Sequence, residues 1–372
     1  MNIALAVDLV AFTILLALSA LVRSRFKHHR YSATAAFGMV MAIGIFTDFS
    51  LPQLPFYSPL LARLVTLELL VIGLFLTSSY ISSALNHHFR MHVAHPLRRF
   101  AIGTWVAGTA LLSVLVTHTL PEMHLLDTTL AIVAIVVYLP YVALFVHGYY
   151  KLLRHPLKQN ANGVILLATV STQSIVIALH SVFADSFPIN VAIGLVAFDM
   201  IFLCSGLVLV ALHYYTIRSW LLAIEWKNAN CIVHGAVSIT GLTLVLTSNF
   251  GPEVLLDVWE IALVLFVIIE TLEFVRLCER EYSQGLRKGL LVYDVTQWTR
   301  NFTYGMFYAL SLALYRHLAM ASTSASNFWY SSLRVIVEWG QYVVLAFLLI
   351  EVAIFLRARL HLFWHSAYLS QG

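Results

Sequence analysis

Charged residues are scarce in this chain of 372 residues: Asp, Glu, Lys and Arg make up 11% of it. A soluble domain carries about a quarter. Hydrophobic residues account for 60%, and the mean hydropathy is +0.84. These values exclude a soluble enzyme with one buried core, and they exclude a disordered chain. A membrane span takes about 20 residues, so the chain has room for roughly ten to twelve spans with short loops.

Cysteine is also rare. The three cysteines are Cys204, Cys231 and Cys278, which are far apart and lie in or near apolar segments. Their separation indicates neither a disulfide framework nor a metal motif. The excess of Lys and Arg, which gives a net charge of +4, is typical of cytoplasmic loops in a membrane protein. No nucleic-acid partner is therefore expected.

Histidines cluster at His87, His88, His92 and His95, and the last three share one helical face. That spacing can hold a metal ion. No cysteine joins the cluster, and the alternative is a set of solvated or headgroup-facing histidines, which we favour. The sequence thus predicts no metal and no cofactor.

Long apolar stretches recur along the whole chain and leave no room for a soluble domain. In lipid, an open chain satisfies its backbone polar groups only as helices. The sequence therefore predicts eleven membrane helices, at about 2–22, 33–49, 58–84, 100–118, 124–150, 162–182, 189–213, 230–248, 254–275, 295–315 and 329–356.

Basic residues mark one side of the membrane. Most of the 22 Lys and Arg residues lie in alternate loops, and the opposite loops hold almost none. This split places the basic loops and the C-terminus in the cytoplasm, in a cell (inner) membrane, with the N-terminus outside. The residues of the basic loops are Arg23, Arg25, Lys27, Arg30, Arg90, Arg98, Arg99, Lys151, Arg154, Lys158, Arg218, Lys227, Arg276, Arg280, Arg287, Lys288, Arg357 and Arg359.

The first apolar stretch has two interpretations, a signal peptide or an uncleaved helix. It lacks a basic segment before it, contains Asp8 and is followed by a basic run. These flanks favour an uncleaved helix with its N-terminus outside.

Small residues recur near the starts of alternate helices. Gly38, Gly103, Ala168, Gly235 and Gly305 are spaced by 65, 65, 67 and 70 residues, each about one helical hairpin. Such repetition predicts a bundle with internal pseudo-symmetry. Two roles remain open for the repeated residues: close packing of helices around an axis, or a pore lined by little side chain.

Four motifs resemble the tellurite-resistance/dicarboxylate transporter family, which includes slow anion channels and fungal malate and sulfite transporters. Their order and spacing along the chain strengthen the resemblance. The motifs are Phe37-Gly38-Met39-Val40-Met41-Ala42-Ile43-Gly44-Ile45; His95-Pro96 with Arg99-Phe100 before Gly103-Thr104-Trp105; Gly235-Ala236 with Ser238; and Tyr293-Asp294 followed by Trp298, Phe302, Gly305 and Met306.

The resemblance implies an all-α polytopic membrane protein with five helical hairpins (ten helices) around a central pore, plus one extra N-terminal helix. The implied domains are an N-terminal helix and basic loop at 1–30, an anion channel or transporter at 31–357, and a short cytoplasmic tail at 358–372. The family assembles as trimers, so a homotrimer is expected. One departure is Thr303, which stands where the family has proline.

The resemblance also assigns roles to residues. Phe302 is the expected pore gate, since an aromatic plug in a narrow apolar bore blocks ions by steric closure and dewetting. Hydroxyl and amide groups could serve as weak anion ligands, or the hydroxyls could bond to carbonyls of their own helices. The candidate donors are Thr104, Ser171, Thr172, Gln173 and Ser238. The predicted pore-lining residues are Gly38, Ala42, Gly103, Thr104, Ala107, Gly108, Thr169, Ser171, Thr172, Gly235, Ser238, Gly305 and Met306.

Arg300 lies about 200° round the helix from Phe302, so it points away from the bore if Phe302 faces it. A buried arginine needs a partner. Topology puts Glu270 and Glu351 at a similar depth, and the sequence predicts a structural ion pair with them. The alternative role for Arg300 is that of an anion ligand.

The expected function is an anion channel or facilitator for small inorganic or organic anions in the lipid bilayer, and not an enzyme. One alternative is a proton-coupled carrier of C4-dicarboxylate or sulfite on the same fold. A second is a membrane redox or metal enzyme. A haem enzyme is disfavoured because His180 and His234 lie near opposite membrane sides.

Overall fold

We describe the fold from a computed structural model of the chain, which covers residues 3–25, 31–154, 160–183, 186–216, 221–247, 250–289, 291–320 and 327–369. These residues form helices and turns, with no strand among them. Of the basic-loop residues, Lys27, Arg30, Lys158 and Arg218 lie outside the described residues, as do the side chains of Arg25, Arg287 and Lys288.

Each of the eleven predicted stretches is a helix. Seven helical segments in the described part of the chain are long and apolar enough to cross a membrane. The helices are α1 (Ile3–Arg25), α2 (Gly38–Ile45, continued by a π-helical turn at Phe46–Ser50), α3 (Pro59–Leu85), α4 (Gly103–Thr119), α5 (His124–Arg154), α6 (Leu167–Val182), α7 (Ile189–Thr216), α8 (Ile232–Thr247), α9 (Pro252–Gly289), α10 (Gln297–Met320) and α11 (Asn327–Leu369).

Five alternate helices close into a ring. Helix α2 packs against α4, α4 against α6, α6 against α8, α8 against α10, and α10 returns to α2. Each following helix packs behind the junction between its own ring helix and the next one, so that α3, α5, α7, α9 and α11 form an outer layer. The five-hairpin arrangement expected from the sequence is therefore the arrangement of the structure.

Helix α1 lies outside this ring against α3. A salt bridge from Arg63 of α3 to Asp8 joins the two helices, and Arg63 also reaches Glu122 at 3.1 Å. Farther along, Ser19 donates a hydrogen bond to Glu68 at 3.2 Å. Polar contacts inside a membrane tie helices together, so α1 is an attached extra helix.

At the other end of the chain, the boundary predicted at residue 358 falls inside α11, which runs on to Leu369. Helix α9 also extends past its predicted end, and Gly285 interrupts it with a φ of 74°. Glycine takes this left-handed conformation without a steric penalty.

Candidate anion vestibule and gate

A cavity of about 660 Å³ lies where all five ring helices begin; we call it the vestibule. Each ring helix contributes residues from the segment that leads into it. Ring helices run in one direction because an outer helix returns the chain between them. Their N-termini therefore converge on one space. The lining residues at these helix starts include Thr34, Ala101, Asn162, Ala229 and Thr296.

The vestibule is electropositive. Arg98, Lys227 and Arg276 line it, with one carboxylate, Asp294. Arg276 is paired with Glu273 at 2.8 Å, so among the described residues Arg98 and Lys227 supply the unpaired positive charge. The Asp294 carboxylate is engaged locally, since its Oδ1 accepts a hydrogen bond from the backbone N–H of Thr296 at 2.7 Å. Each helix N-terminus adds a partial positive charge. Cations and helix dipoles together favour an anion in this space.

Contacts of α10 with its two ring neighbours fix the direction in which Phe302 points. A Cβ placed on Gly305 would lie 2.5 Å from Ile45 of α2, and one on Gly235 of α8 would lie 2.2 Å from Thr303. On a helical wheel, Phe302 falls between Gly305 and Thr303. Its side chain therefore faces the interior of the ring, about 9 Å along the helix from the vestibule residue Thr296.

The interior of the ring is closed at this level. Phe302 is 2% exposed and Met306 3%. The alanines predicted to line a bore, Ala42 and Ala107, are each 1% exposed. Residues so completely covered surround no water-filled passage, so the ring is sealed beyond the vestibule.

The predicted pore-lining glycines occupy helix–helix contacts instead, which corrects their assignment to the surface of a bore. A Cβ on Gly103 would lie 2.7 Å from the carbonyl oxygen of Leu167, and one on Gly108 would lie 2.6 Å from Phe37. Gly38 also faces α10, but a Cβ there would lie 3.5 Å from Trp298 and Thr299, an ordinary contact distance. Gly103, Gly108, Gly235 and Gly305 are therefore the glycines that let ring helices approach each other closely.

The predicted hydroxyl ligands bond to their own helices. Ser171 and Thr172 both donate to the carbonyl of Ala168, at 2.9 and 2.8 Å. Ser238 donates to the carbonyl of His234 at 2.8 Å. Thr104 likewise donates to the carbonyl of Ala101 at 2.8 Å. The self-bonding interpretation thus holds for these four, and the prediction that they face a bore as anion ligands has no support from their contacts.

Thr172 and Thr169 belong to contacts with the outer layer. The Thr172 hydroxyl lies 2.9 Å from that of Tyr138 on α5. The Oγ1 atom of Thr169 is buried beside Asp199 of α7, without a hydrogen bond of normal geometry. One turn along the same face, Gln173 reaches Asp199 of α7 at 2.8 Å. This face of α6 therefore points toward the outer helices.

Arg300 pairs with two carboxylates of α9. Its Nη2 lies 2.8 Å from Glu273 and its Nε 3.7 Å from Glu270. Glu270 also accepts a hydrogen bond from Tyr304 at 2.7 Å and lies 3.4 Å from His234. The predicted pairing of Arg300 with Glu270 is present. This network joins ring helices α8 and α10 to outer helix α9.

The predicted pairing of Arg300 with Glu351 is wrong. Among the described residues Glu351 forms no ion pair, and its buried Oε1 has no hydrogen-bond partner. Glu273 takes its place because it lies three residues after Glu270, on the same face of α9. The spacing of the two glutamates was the signal in the sequence that could have identified it.

The histidine cluster is split by the fold. His92 is fully buried rather than solvated: its Nδ1 lies 2.9 Å from the Thr34 hydroxyl, and its Nε2 lies 3.2 Å from that of Ser83. His87 and His88 stay exposed. In the part of the chain that the structure describes, no group of three metal-ligating side chains comes together.

Sequence reasoning missed several polar residues that shape the vestibule. Asn162 caps the turn before α6, accepting a hydrogen bond from the backbone of Val164 at 3.1 Å. Asn228 accepts a hydrogen bond from Arg276 at 2.6 Å, and this contact holds the arginine at the cavity wall. Both asparagines precede ring helices, a position typical of helix caps.

The fold and these contacts define an all-α polytopic membrane protein with a closed ring of helices. In comparisons with known proteins, no family model matches the chain, and no curated protein matches it significantly.

Proposed function

We propose that this protein is a membrane anion channel or facilitator whose path runs from the vestibule into the ring and is closed by Phe302. The observation that carries the proposal is the convergence of five helix N-termini and the cationic side chains of Arg98 and Lys227 on one cavity. Phe302 lies on the axial side of the ring, one and a half helical turns deeper. An anion drawn into the vestibule meets this aromatic side chain next.

Arg300 has a structural role in this proposal. Its guanidinium points toward α9 and two carboxylates, not toward the axis. A cation neutralised in this way binds no passing anion strongly. The almost uncharged ring interior suits passage better than tight binding, because conduction requires that an ion also leave.

The test is anion flux through the full chain reconstituted in vesicles, with chloride, nitrate, sulfite and malate as probes. Phe302→Ala should raise the flux of at least one anion. Truncating a buried phenylalanine costs about 3–5 kcal/mol of packing energy. If about 1.4 kcal/mol of this cost destabilises the closed state relative to the open state, the open population and the flux rise roughly tenfold.

Phe307→Ala is the matched control. Phe307 is equally buried on α10 but stacks on Phe266 of outer helix α9, with ring centroids 4.7 Å apart. It should lose comparable stability with no gain in flux. Equal flux from both variants would contradict a gate at Phe302. Uptake that follows an imposed pH gradient would identify a coupled carrier instead of a channel.

The cytoplasmic position of the basic loops and the homotrimer belong to the same proposal. Labelling of single cysteines introduced near Arg98 and near Glu122, in intact cells, tests the orientation. The mass of the detergent-solubilised protein tests the trimer.

A further inference from the structure

A carboxylate and an amide meet in the dry layer between ring helix α6 and outer helix α7. Asp199 and Gln173 are both 0% exposed. Asp199 lies ten residues beyond Ile189, the first residue of α7, which is about 15 Å along the helix. The hydrocarbon core is about 30 Å thick. This pair therefore lies near the middle of the bilayer.

Only one hydrogen bond joins the Asp199 carboxylate to the Gln173 amide. Gln173 Nε2 donates to Asp199 Oδ2 at 2.8 Å. The other two oxygens, Asp199 Oδ1 and Gln173 Oε1, are buried without a hydrogen bond of normal geometry, and the buried hydroxyl of Thr169, one turn before Gln173 on α6, is a further donor beside the carboxylate. With an ionised carboxylate, both of these atoms are acceptors, and neither can donate to the other. Even when the Thr169 hydroxyl donates to Oδ1, Gln173 Oε1 stays unpaired, and leaving a buried acceptor unpaired is costly.

The surroundings of Asp199 supply no compensating charge. Among the described residues, no Lys, Arg or His forms an ion pair with it. The titratable groups that face it are Tyr138, Tyr141 and Tyr149 of α5. Their hydroxyls are engaged elsewhere, with Thr172, with the carbonyl of Phe100, and with the carbonyls of Ile165 and Phe202.

The other helices packed against α7 add no cation either. His234 of α8 is directed to Glu270 of α9, and Cys231, in the turn before α8, lies 4.0 Å from the hydroxyl of Thr299 on α10. On α6, His180 lies two turns beyond Gln173, near the end of that helix. An ionised carboxylate at this depth, with no cation, is strongly disfavoured.

We propose that Asp199 is a proton-binding site, in which a carboxylic acid forms a cyclic pair with Gln173. A proton taken from hydronium adds to Oδ1 and leaves one water molecule. The new O–H then donates to Gln173 Oε1, while Gln173 Nε2 continues to donate to Oδ2. One proton thus gives Gln173 Oε1 the donor that it lacks.

The proton also strengthens the contact between the ring and the outer layer. Gln173 belongs to the ring helix, so the cyclic pair ties α6 to α7 through two hydrogen bonds instead of one. Loss of the proton leaves a charge that needs water, which loosens this contact. If the proposed anion path is correct, on which this step rests, release of the proton favours the open ring and flux rises with pH.

Infrared spectroscopy of the full chain in lipid tests the proton site without any transport assay. The wild-type protein at neutral pH should show a carboxylic-acid C=O band component that shifts in deuterated water and is lost in Asp199→Asn, whereas a component from the buried and unpaired Glu351 would be common to both proteins. The asparagine amide can donate to Gln173 Oε1, so this variant keeps the pair and should fold. Glu253→Gln, at an exposed carboxylate, is the control and should keep the band. Identical spectra from wild type and Asp199→Asn would overturn the proposal.

Flux measurements test the coupling separately. Wild-type flux should increase at least tenfold from low to high pH, and Asp199→Asn should stay low and pH-independent. A pH profile shared by both proteins would overturn the coupling, while the infrared band still establishes the proton site. Absence of flux from every variant, Phe302→Ala included, would refute the proposed function and leave the infrared result to decide the proton site alone.

Discussion

The ring helices and the outer helices differ in a way opposite to that expected of a soluble protein. In the segment Asn228–Thr247, which contains α8, 94% of the most apolar window is buried, with a mean hydropathy of 1.6. In the outer segment Pro121–Arg154 only 28% is buried, yet the mean hydropathy is 2.5. The most buried helices are thus the less apolar ones.

The lipid environment explains why the buried helices are less apolar than the outer ones. Lipid tails are as apolar as leucine, so burial against other helices brings no hydrophobic gain, and close packing and polar contacts hold the ring together instead. Glycines such as Gly235 and Gly305 provide the close approach. Ion pairs such as Arg300 with Glu273 provide the polar contact. The same substitution should therefore have different effects in the ring and in the outer layer.

Loss of Arg300 should produce the largest effect. Arg300→Met leaves Glu270 without its arginine and Glu273 with Arg276 alone, and breaking a buried pair costs about 3–5 kcal/mol. The comparison is Arg334→Met on outer helix α11, which removes an exposed pair with Glu338 at 2.6 Å and should cost far less, because solvent screens the exposed charges. Denaturant or thermal unfolding in mild detergent measures both. Similar losses from the two variants would contradict the distinction.

A methyl group added inside the ring should have the next largest effect. Gly305→Ala places a Cβ 2.5 Å from Ile45 Cγ2, and overpacking of this kind costs about 1–3 kcal/mol. Gly194→Ala on outer helix α7 meets no atom within 4 Å, so it should gain about 0.5–1 kcal/mol from helix propensity. Unfolding measurements distinguish the expected loss of stability in Gly305→Ala from the expected gain in Gly194→Ala.

A second substitution sharpens this test. The other Ile45 atoms lie 3.6 Å from the added Cβ, so Ile45→Ala removes the clashing methyl group. The cost of Gly305→Ala should shrink in that background by a double-mutant cycle. A fully additive pair would mean that the ring accommodates the methyl group elsewhere.

The smallest effect is the pH dependence of stability that comes from His92, the buried histidine in the connection between α3 and α4. Burial lowers the pKa of His92, and the nearby charge of Arg98 lowers it further. The unfolded chain therefore binds a proton below about pH 6.5, where the folded chain does not yet do so. Stability should fall as the pH drops through this window, by at most about 1.4 kcal/mol for each unit that separates the two pKa values.

Thermal unfolding across this pH range checks the expectation. His92→Gln should flatten the profile. His87→Asn should leave it unchanged, because His87 is exposed and asparagine tolerates its φ of 59°. A wild-type profile that survives in His92→Gln would assign the pH dependence to another group.

Sequence reasoning located the eleven helices and their alternation because long apolar runs between basic loops have few other solutions in lipid. It also predicted the pairing of Arg300 with Glu270, since both residues lie at a similar depth in the membrane. It chose Glu351 over Glu273 because depth along a helix does not specify direction around it. Only the packing of α9 against α10 decides which carboxylate faces the guanidinium.

The repeated small residues show the same limit of sequence-based prediction. Their regular spacing, from Gly38 to Gly305, determined that hairpins repeat, but it left packing and pore lining equally open. Contacts such as Gly103 against Leu167 decided in favour of packing.

The sparse charge of the chain, by itself, determined a membrane protein and one basic side. Tertiary structure alone decided that Arg98, Lys227 and Arg276 share one cavity and that Asp199 meets Gln173 without a cation. The physical reason is that composition and periodicity determine how deep in the membrane a residue lies and which residues share a helix face. Which faces meet depends on how all the helices rotate and pack together.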